Sequence, residues 1–146
     1  MESHAISCSG LHRIGSRVAH DDCRRVCRSK RAQAIELNIS CPNIKEGGIE
    51  FGSNPDMARA VTKACVALSA LPIFVKLSPN VTYPWEVAGA VMDAGASGLS
   101  MINTLVGMMG DTEKEIPRLA TVTGGLSGPA IKPVALAQIH KVYERM

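Results

Sequence analysis

Apolar and polar positions alternate most regularly at Ala34-Ile35-Glu36-Leu37-Asn38-Ile39-Ser40, where Ile35, Leu37 and Ile39 interleave with Glu36, Asn38 and Ser40. A period of two belongs to a strand with two different faces, so a first strand is predicted over about Ala34–Ser40. The run Pro72–Ser78, closed by the turn pair Pro79-Asn80, predicts a second strand, and Gly98–Asn103 a third. Between them the period becomes helical. Met57, Ala60, Val61, Ala64 and Leu68 recur as one apolar stripe with Cys65 beside it as a packing residue. Asn54-Pro55-Asp56 supplies that helix with a capping amide, a first-turn proline and an acid near the positive end of its dipole. A second helix begins after Thr82, with Pro84 in its first turn, carries Val87, Ala90, Val91 and Ala94, and stops at Gly95.

Beyond the third strand the pattern weakens. A long polar loop containing Asp111, Lys114 and Pro117 leads to Thr123-Gly124-Gly125-Leu126-Ser127-Gly128. A last helix then starts near Pro129 or Pro133, with Ala135, Ile139 and Val142 on one face. The Gly124-Gly125-x-x-Gly128 run lacks the compact strand-to-helix setting of a phosphate cradle and reads equally well as a flexible loop. Met1–Gln33 shows neither period. It is set apart as an unassigned segment, disordered or out of frame, from the domain at 34–146.

Three strand–helix alternations with continuous apolar strands mean parallel βα units, hence an α/β fold. Three units are too few to close a barrel and leave two open sheet edges. The pattern describes part of a larger parallel architecture.

Composition narrows the classes. A chain of 146 residues with 46% hydrophobic and 20% charged residues is one globular domain. Its few aromatics (Phe51, Phe74, Tyr83, Trp85, Tyr143) do not make a stacking platform for single-stranded nucleic acid. The net charge of +3 comes largely from Arg24, Arg25, Arg28, Lys30 and Arg31, so the main body lacks a nucleic-acid surface. No apolar run reaches the roughly 18 residues of a membrane span, and Ser3, His4, Ser7, Ser9 and His12 interrupt any signal-peptide core. Five cysteines without framework spacing point to a reducing, cytoplasmic setting. Cys8, His12, His20, Cys23 and Cys27 include only one Cys-x-x-x-Cys pair, and no metal site is expected.

Candidate chemistry gathers where the strands end. Asn38 shares a face with Glu36 and Ser40, Lys76 with Phe74 and Ser78, and Asn103 with Leu99 and Met101. Each unit thus sets a polar side chain near the carboxyl end of its strand, which is where parallel sheets and barrels bind ligands. A lysine between Phe74 and Leu77 needs an anion or an electron-rich partner. Cys41, between Asn38 and Asn43 and followed by Pro42, puts a thiol among amides at the start of a loop.

Four segments resemble the catalytic chain of class 1 dihydroorotate dehydrogenases. They are Ile35-Glu36-Leu37-Asn38-Ile39-Ser40-Cys41-Pro42-Asn43, Val75–Thr82, Met101–Gly107 and Thr123–Pro133, and together the likeness covers about residues 34–146. The loop Asn43-Ile44-Lys45-Glu46-Gly47-Gly48 is similar to the NAD-linked 1B form. The resemblance implies a (βα)8 TIM barrel, here a partial one of about three units truncated at both ends, with FMN at the strand C-terminal ends. It implies oxidation of dihydroorotate to orotate in pyrimidine synthesis. Cys41 would be the base that removes the C5 proton while the C6 hydride passes to FMN, a role that suits a thiol whose ordinary pKa of about 8.5 can be tuned downwards. Asn38, Lys76, Ile102 and Gly128 would contact FMN, and Asn38, Asn43, Asn103 and Thr104 the substrate. Implied partners are an iron–sulfur and FAD-bearing electron-transfer subunit and a second copy of the chain. The related barrel of dihydropyrimidine dehydrogenase and a non-catalytic interaction fragment are the alternative readings. Asn43 argues against the first, which usually has His there.

Overall fold

The expected strands form the centre of the molecule. The structure, a computed structural model, describes residues 4–8, 32–40 and 52–146. Four strands, β1 (His4–Cys8), β2 (Ala32–Asn38), β3 (Ile73–Lys76) and β4 (Gly98–Ser100), lie in that order in one sheet. All three pairings are parallel. Ile35 stands against Ile73, Leu37 against Val75, and Asn38 against Lys76, which in turn stands against Ser100. β1 lies in the stretch set apart for want of any period. Its pairing with β2, and no pattern of its own, makes it a strand.

Helix α1 (Pro55–Leu68) follows β2 and helix α2 (Pro84–Asp93) follows β3. The Asn54 side chain caps α1 as its sequence requires, its Oδ1 accepting from the backbone N–H of Asp56 at 2.9 Å and of Met57 at 3.1 Å. The buried stripe of α1 is Ala58, Val61, Thr62 and Cys65, one step round from the expected one, with Ala60 and Ala64 exposed. Thr62 can be buried because its hydroxyl donates to the Ala58 carbonyl oxygen at 2.8 Å. On α2, Pro84, Val87, Ala88, Ala90 and Val91 are buried. Gly95, at φ +98°, then takes the left-handed turn that ends the helix.

One face of the sheet is therefore closed. Ile35, Leu37 and Ile39 of the first segment and Ile73, Val75 and Leu77 of the second join Val61, Cys65, Val87 and Val91 in a single apolar core. At about 25 cal/mol per Å² of apolar area removed from water, burial on this face is the main favourable term for the domain. A bidentate contact of Arg59 to Asp93 Oδ2, both distances 3.2 Å, ties α1 to α2 at the surface.

The stretch after β4 departs from a plain polar loop. β5 (Leu105–Met108) pairs antiparallel with β8 (Thr123–Leu126), and β6 (Gly110–Asp111) with β7 (Ile116–Pro117). The result is a two-part arm, and Gly124 and Gly125 lie in a strand of it. A single turn at Pro129–Ile131 leads into helix α3 (Lys132–Tyr143). Of the expected Ala135–Ile139–Val142 face of α3, Ile139 is exposed, Ala135 half-buried and Val142, in the last turn, buried. There the Arg145 guanidinium lies 3.9 Å from the centre of the Trp85 ring of α2.

Candidate active site

Alternation along β2 and β3 sends Glu36, Asn38 and Lys76 to the face opposite the helices. This second face is open: Phe74 is 39% exposed, and the Lys76 and Glu36 side chains retain 30% and 26% of their accessible surface. A strand that buries one row of side chains must present the other, and here the presented row is polar.

At the C-terminal edge two segments, Asn38–Ser40 and Asn103–Thr104, meet in one cluster. Asn103 Nδ2 donates to Asn38 Oδ1 at 3.2 Å, to the Ser40 carbonyl oxygen at 3.1 Å and to Ser40 Oγ at 2.9 Å. Asn38 Oδ1 also accepts from the Ser40 backbone N–H at 3.2 Å and from Ser40 Oγ at 3.3 Å. Asn103 Oδ1 accepts from the Thr104 N–H at 2.8 Å, which orients its amide. Asn103 was expected on the face of Leu99 and Met101, and both of those pack against the core instead. The backbone leaves strand geometry after Ser100, so the two-residue period does not carry to position 103.

The neighbouring loops are tied to this edge. Asn80 uses both ends of its amide, Nδ2 donating to the Thr104 carbonyl oxygen at 3.0 Å and Oδ1 accepting from the Val106 N–H at 2.9 Å. Ser78 Oγ accepts from the Asn80 N–H at 3.1 Å. Gly125 of β8 lies so close to Thr104 that an added Cβ would stand 2.8 Å from Thr104 Cβ, and only glycine permits that approach.

Lys76 sits one strand over, its Nζ 3.5 Å from Glu36 Oε1. Glu36 Oε2 accepts from Ser100 Oγ at 2.9 Å. The partner expected for this lysine is thus present within the sheet as a carboxylate. Among the residues expected at the site, Asn38, Asn103 and Thr104 come together, Lys76 is adjacent in register to Asn38, and Ile102 is half-buried beside Asn103 in the chain. Gly128 is not brought into the cluster: it opens the Pro129–Ile131 turn at φ +92°, with open space where a Cβ would stand. Cys41 and Asn43 lie outside the described residues. Glu36, Ser40, Asn80 and Ser100 are additional. The signal for Glu36 was a carboxylate in an apolar strand, on the same face as Asn38. Asn80 looked like a turn residue, and nothing local marked Ser100.

A sequence model of the dihydroorotate dehydrogenase family matches residues 9–146. The chain belongs to that family. The match takes in most of the stretch that shows no period of its own. Among curated relatives, the chain is 57% identical over 120 residues to the protein of Latilactobacillus sakei named dihydroorotate dehydrogenase B (NAD(+)), catalytic subunit, covering 82% of this chain and 39% of the relative. The Listeria monocytogenes protein of the same name is 56% identical over 122 residues, covering 84% of this chain and 40% of the relative. That of Bacillus pumilus is 56% identical over 120 residues, covering 82% and 39%. The chain therefore spans about two fifths of the length of the relatives it matches. No described helix is long and apolar enough to cross a membrane.

The open face suits a flavin. It presents the Lys76 ammonium and the Asn38 amide at the carboxyl ends of parallel strands, with the Gly125 backbone close against the neighbouring Thr104. Such donors match the carbonyl and ring-nitrogen acceptors of a flat isoalloxazine.

Proposed function

We propose that this chain carries part of the catalytic site of an FMN-dependent dihydroorotate dehydrogenase, on about three units of a (βα)8 barrel. The observation that carries the reading is the cluster of Asn38, Ser40, Asn103 and Thr104 beside Lys76, on the open face of a parallel sheet in a chain of this family. In this reading Asn38 and Lys76 hold FMN, with Ile102 and Gly128 contributing backbone. Asn38, Asn43, Asn103 and Thr104 hold dihydroorotate, an acceptor-rich ring with a carboxylate. The chemistry FMN supplies when bound is acceptance of the hydride from C6. Cys41, the residue after Ser40 in the chain, takes the C5 proton at its sulfur. Lys76 would bring positive charge to the flavin side of the site, and the amides would hold the substrate ring.

The names of the relatives, which include B (NAD(+)) and catalytic subunit, support the 1B form; in this reading a partner subunit carries electrons onward through FAD and an iron–sulfur centre to NAD, and the chain pairs with a second copy. With two fifths of the relatives' length, the 146 residues by themselves are expected not to turn over and not to retain flavin through desalting.

The test is a chimera in which residues 34–146 replace the matching segment of the Latilactobacillus sakei protein. The chimera should bind FMN and form orotate from dihydroorotate. Cys41→Ala in it should lower turnover by roughly 10²–10⁴, the range of a general acid or base, while FMN stays bound. A chimera that folds, binds FMN and shows full turnover with Cys41→Ala would remove the assignment of the base. One that folds yet binds no FMN would remove the flavin reading.

A further inference from the structure

Glu36 is the residue of β2 that burial does not explain. It interrupts an apolar strand on the open face, and the register sets it opposite Phe74 rather than opposite Lys76. Its carboxylate nevertheless reaches across β3. Oε2 accepts from Ser100 Oγ on β4 at 2.9 Å, and Oε1 lies 3.5 Å from Lys76 Nζ. Ser100 is itself the register neighbour of Lys76, so three adjacent strands contribute one group each to a single polar row. Beside this row the Phe74 ring lies over Gly98, where a Cβ would stand 2.8 Å from the ring. The absence of a side chain at Gly98 leaves the space that the ring occupies.

From this arrangement we infer that Glu36 is a positioning residue for Lys76. The carboxylate, oriented by Ser100, holds the ammonium on the open face, facing the site that binds flavin in the reading above, on which this inference rests. A lysine on a four-carbon stem samples many rotamers, and a fixed counter-ion narrows them. The ammonium has three N–H donors and, among the described residues, one neighbouring carboxylate, so it can keep Glu36 and still meet an electron-rich ligand. At 3.5 Å, with both side chains about a quarter exposed, the pair guides the lysine without sealing it off.

The test reads Lys76 directly in the 146-residue chain. Lysines are methylated with formaldehyde and cyanoborohydride and quantified by peptide mass spectrometry. Lys63, exposed on α1, serves as the internal reference. Glu36→Gln should raise the Lys76-to-Lys63 labelling ratio about threefold or more. Glu36→Asp should recover part of the slow rate, and Ser100→Ala should raise the ratio by a smaller factor. In the Latilactobacillus sakei chimera, FMN should protect Lys76 from labelling, and protect it less than half as well when Glu36→Gln is added. An unchanged ratio in Glu36→Gln, or a chimera in which FMN protects Lys76 and does so equally with and without the carboxylate, overturns the positioning role. Acceleration by Glu36→Gln with no FMN protection of Lys76 in the chimera supports the hold on Lys76 and overturns the flavin reading instead. Circular dichroism accompanies each variant, and Ser100→Ala carries the measurement if Glu36→Gln does not fold.

Discussion

The two faces of the parallel sheet come from the same strands and share almost nothing else. On the helix side Ile35, Leu37, Ile73, Val75 and Leu77 are at most 2% exposed and form a core with α1 and α2. On the other side, one residue away each time, stand Glu36, Asn38, Phe74, Lys76 and Ser100, half-buried and polar but for Phe74. A strand cannot serve both purposes with one row of side chains, and the two-residue period lets it serve each with its own. The helix side holds the domain together. The open side can then spend its residues on recognition, because little of the fold's stability depends on them.

That division can be broken by substitution. The largest effect is expected on the closed face, where Leu37→Ala should destabilise the domain by about 2–5 kcal/mol through lost burial and the cavity left behind. Chemical denaturation would measure it, and a change under about 1 kcal/mol would mean that the helix side is not the main support. Gly125→Ala comes next, at about 1–3 kcal/mol, because its Cβ would press on Thr104 with little room to yield; it should also disturb the Asn103–Thr104 edge. Asn103→Ala, which removes the shared donor to Asn38 and Ser40, should cost about 1 kcal/mol of stability. In the chimera it should weaken orotate binding by more than its stability cost alone suggests. Lys76→Met should move the unfolding midpoint least among the sheet residues, by under about 1 kcal/mol for a part-exposed pair, and yet weaken FMN binding. A large stability loss from Lys76→Met with FMN binding intact would reverse the roles assigned to the two faces.

The same contrast explains what could be read from sequence. β2 and β3 were legible because their alternation is strict and bounded by turn residues, and α1 because Asn54-Pro55-Asp56 marks its start. Its stripe was misplaced by one step since alanines mark a face poorly, and a threonine can be buried once its hydroxyl bonds Ala58. The antiparallel arm was missed because Gly107, Gly124 and Gly125 blank out the alternation and two of its strands have only two residues each. β1 depends on β2 for its definition, so local pattern could not announce it. At the site, Asn38, Asn103 and Lys76 showed themselves as polar groups at strand ends, whereas the Glu36–Lys76–Ser100 row depends on the register of three strands, which no single segment encodes.

One side chain sets how the edge of the site can move. Asn80 grips two backbone groups of the following loop, the Thr104 carbonyl and the Val106 N–H, while its own N–H is held by Ser78. It acts as a strut: the Thr104–Val106 segment is braced to the end of β3 rather than hanging from β4 alone. A displacement of the β3 end would therefore drag the rim beside Asn103 with it as one piece. The site has a stiff lip on this side, and whatever flexibility admits a ligand must come from another edge.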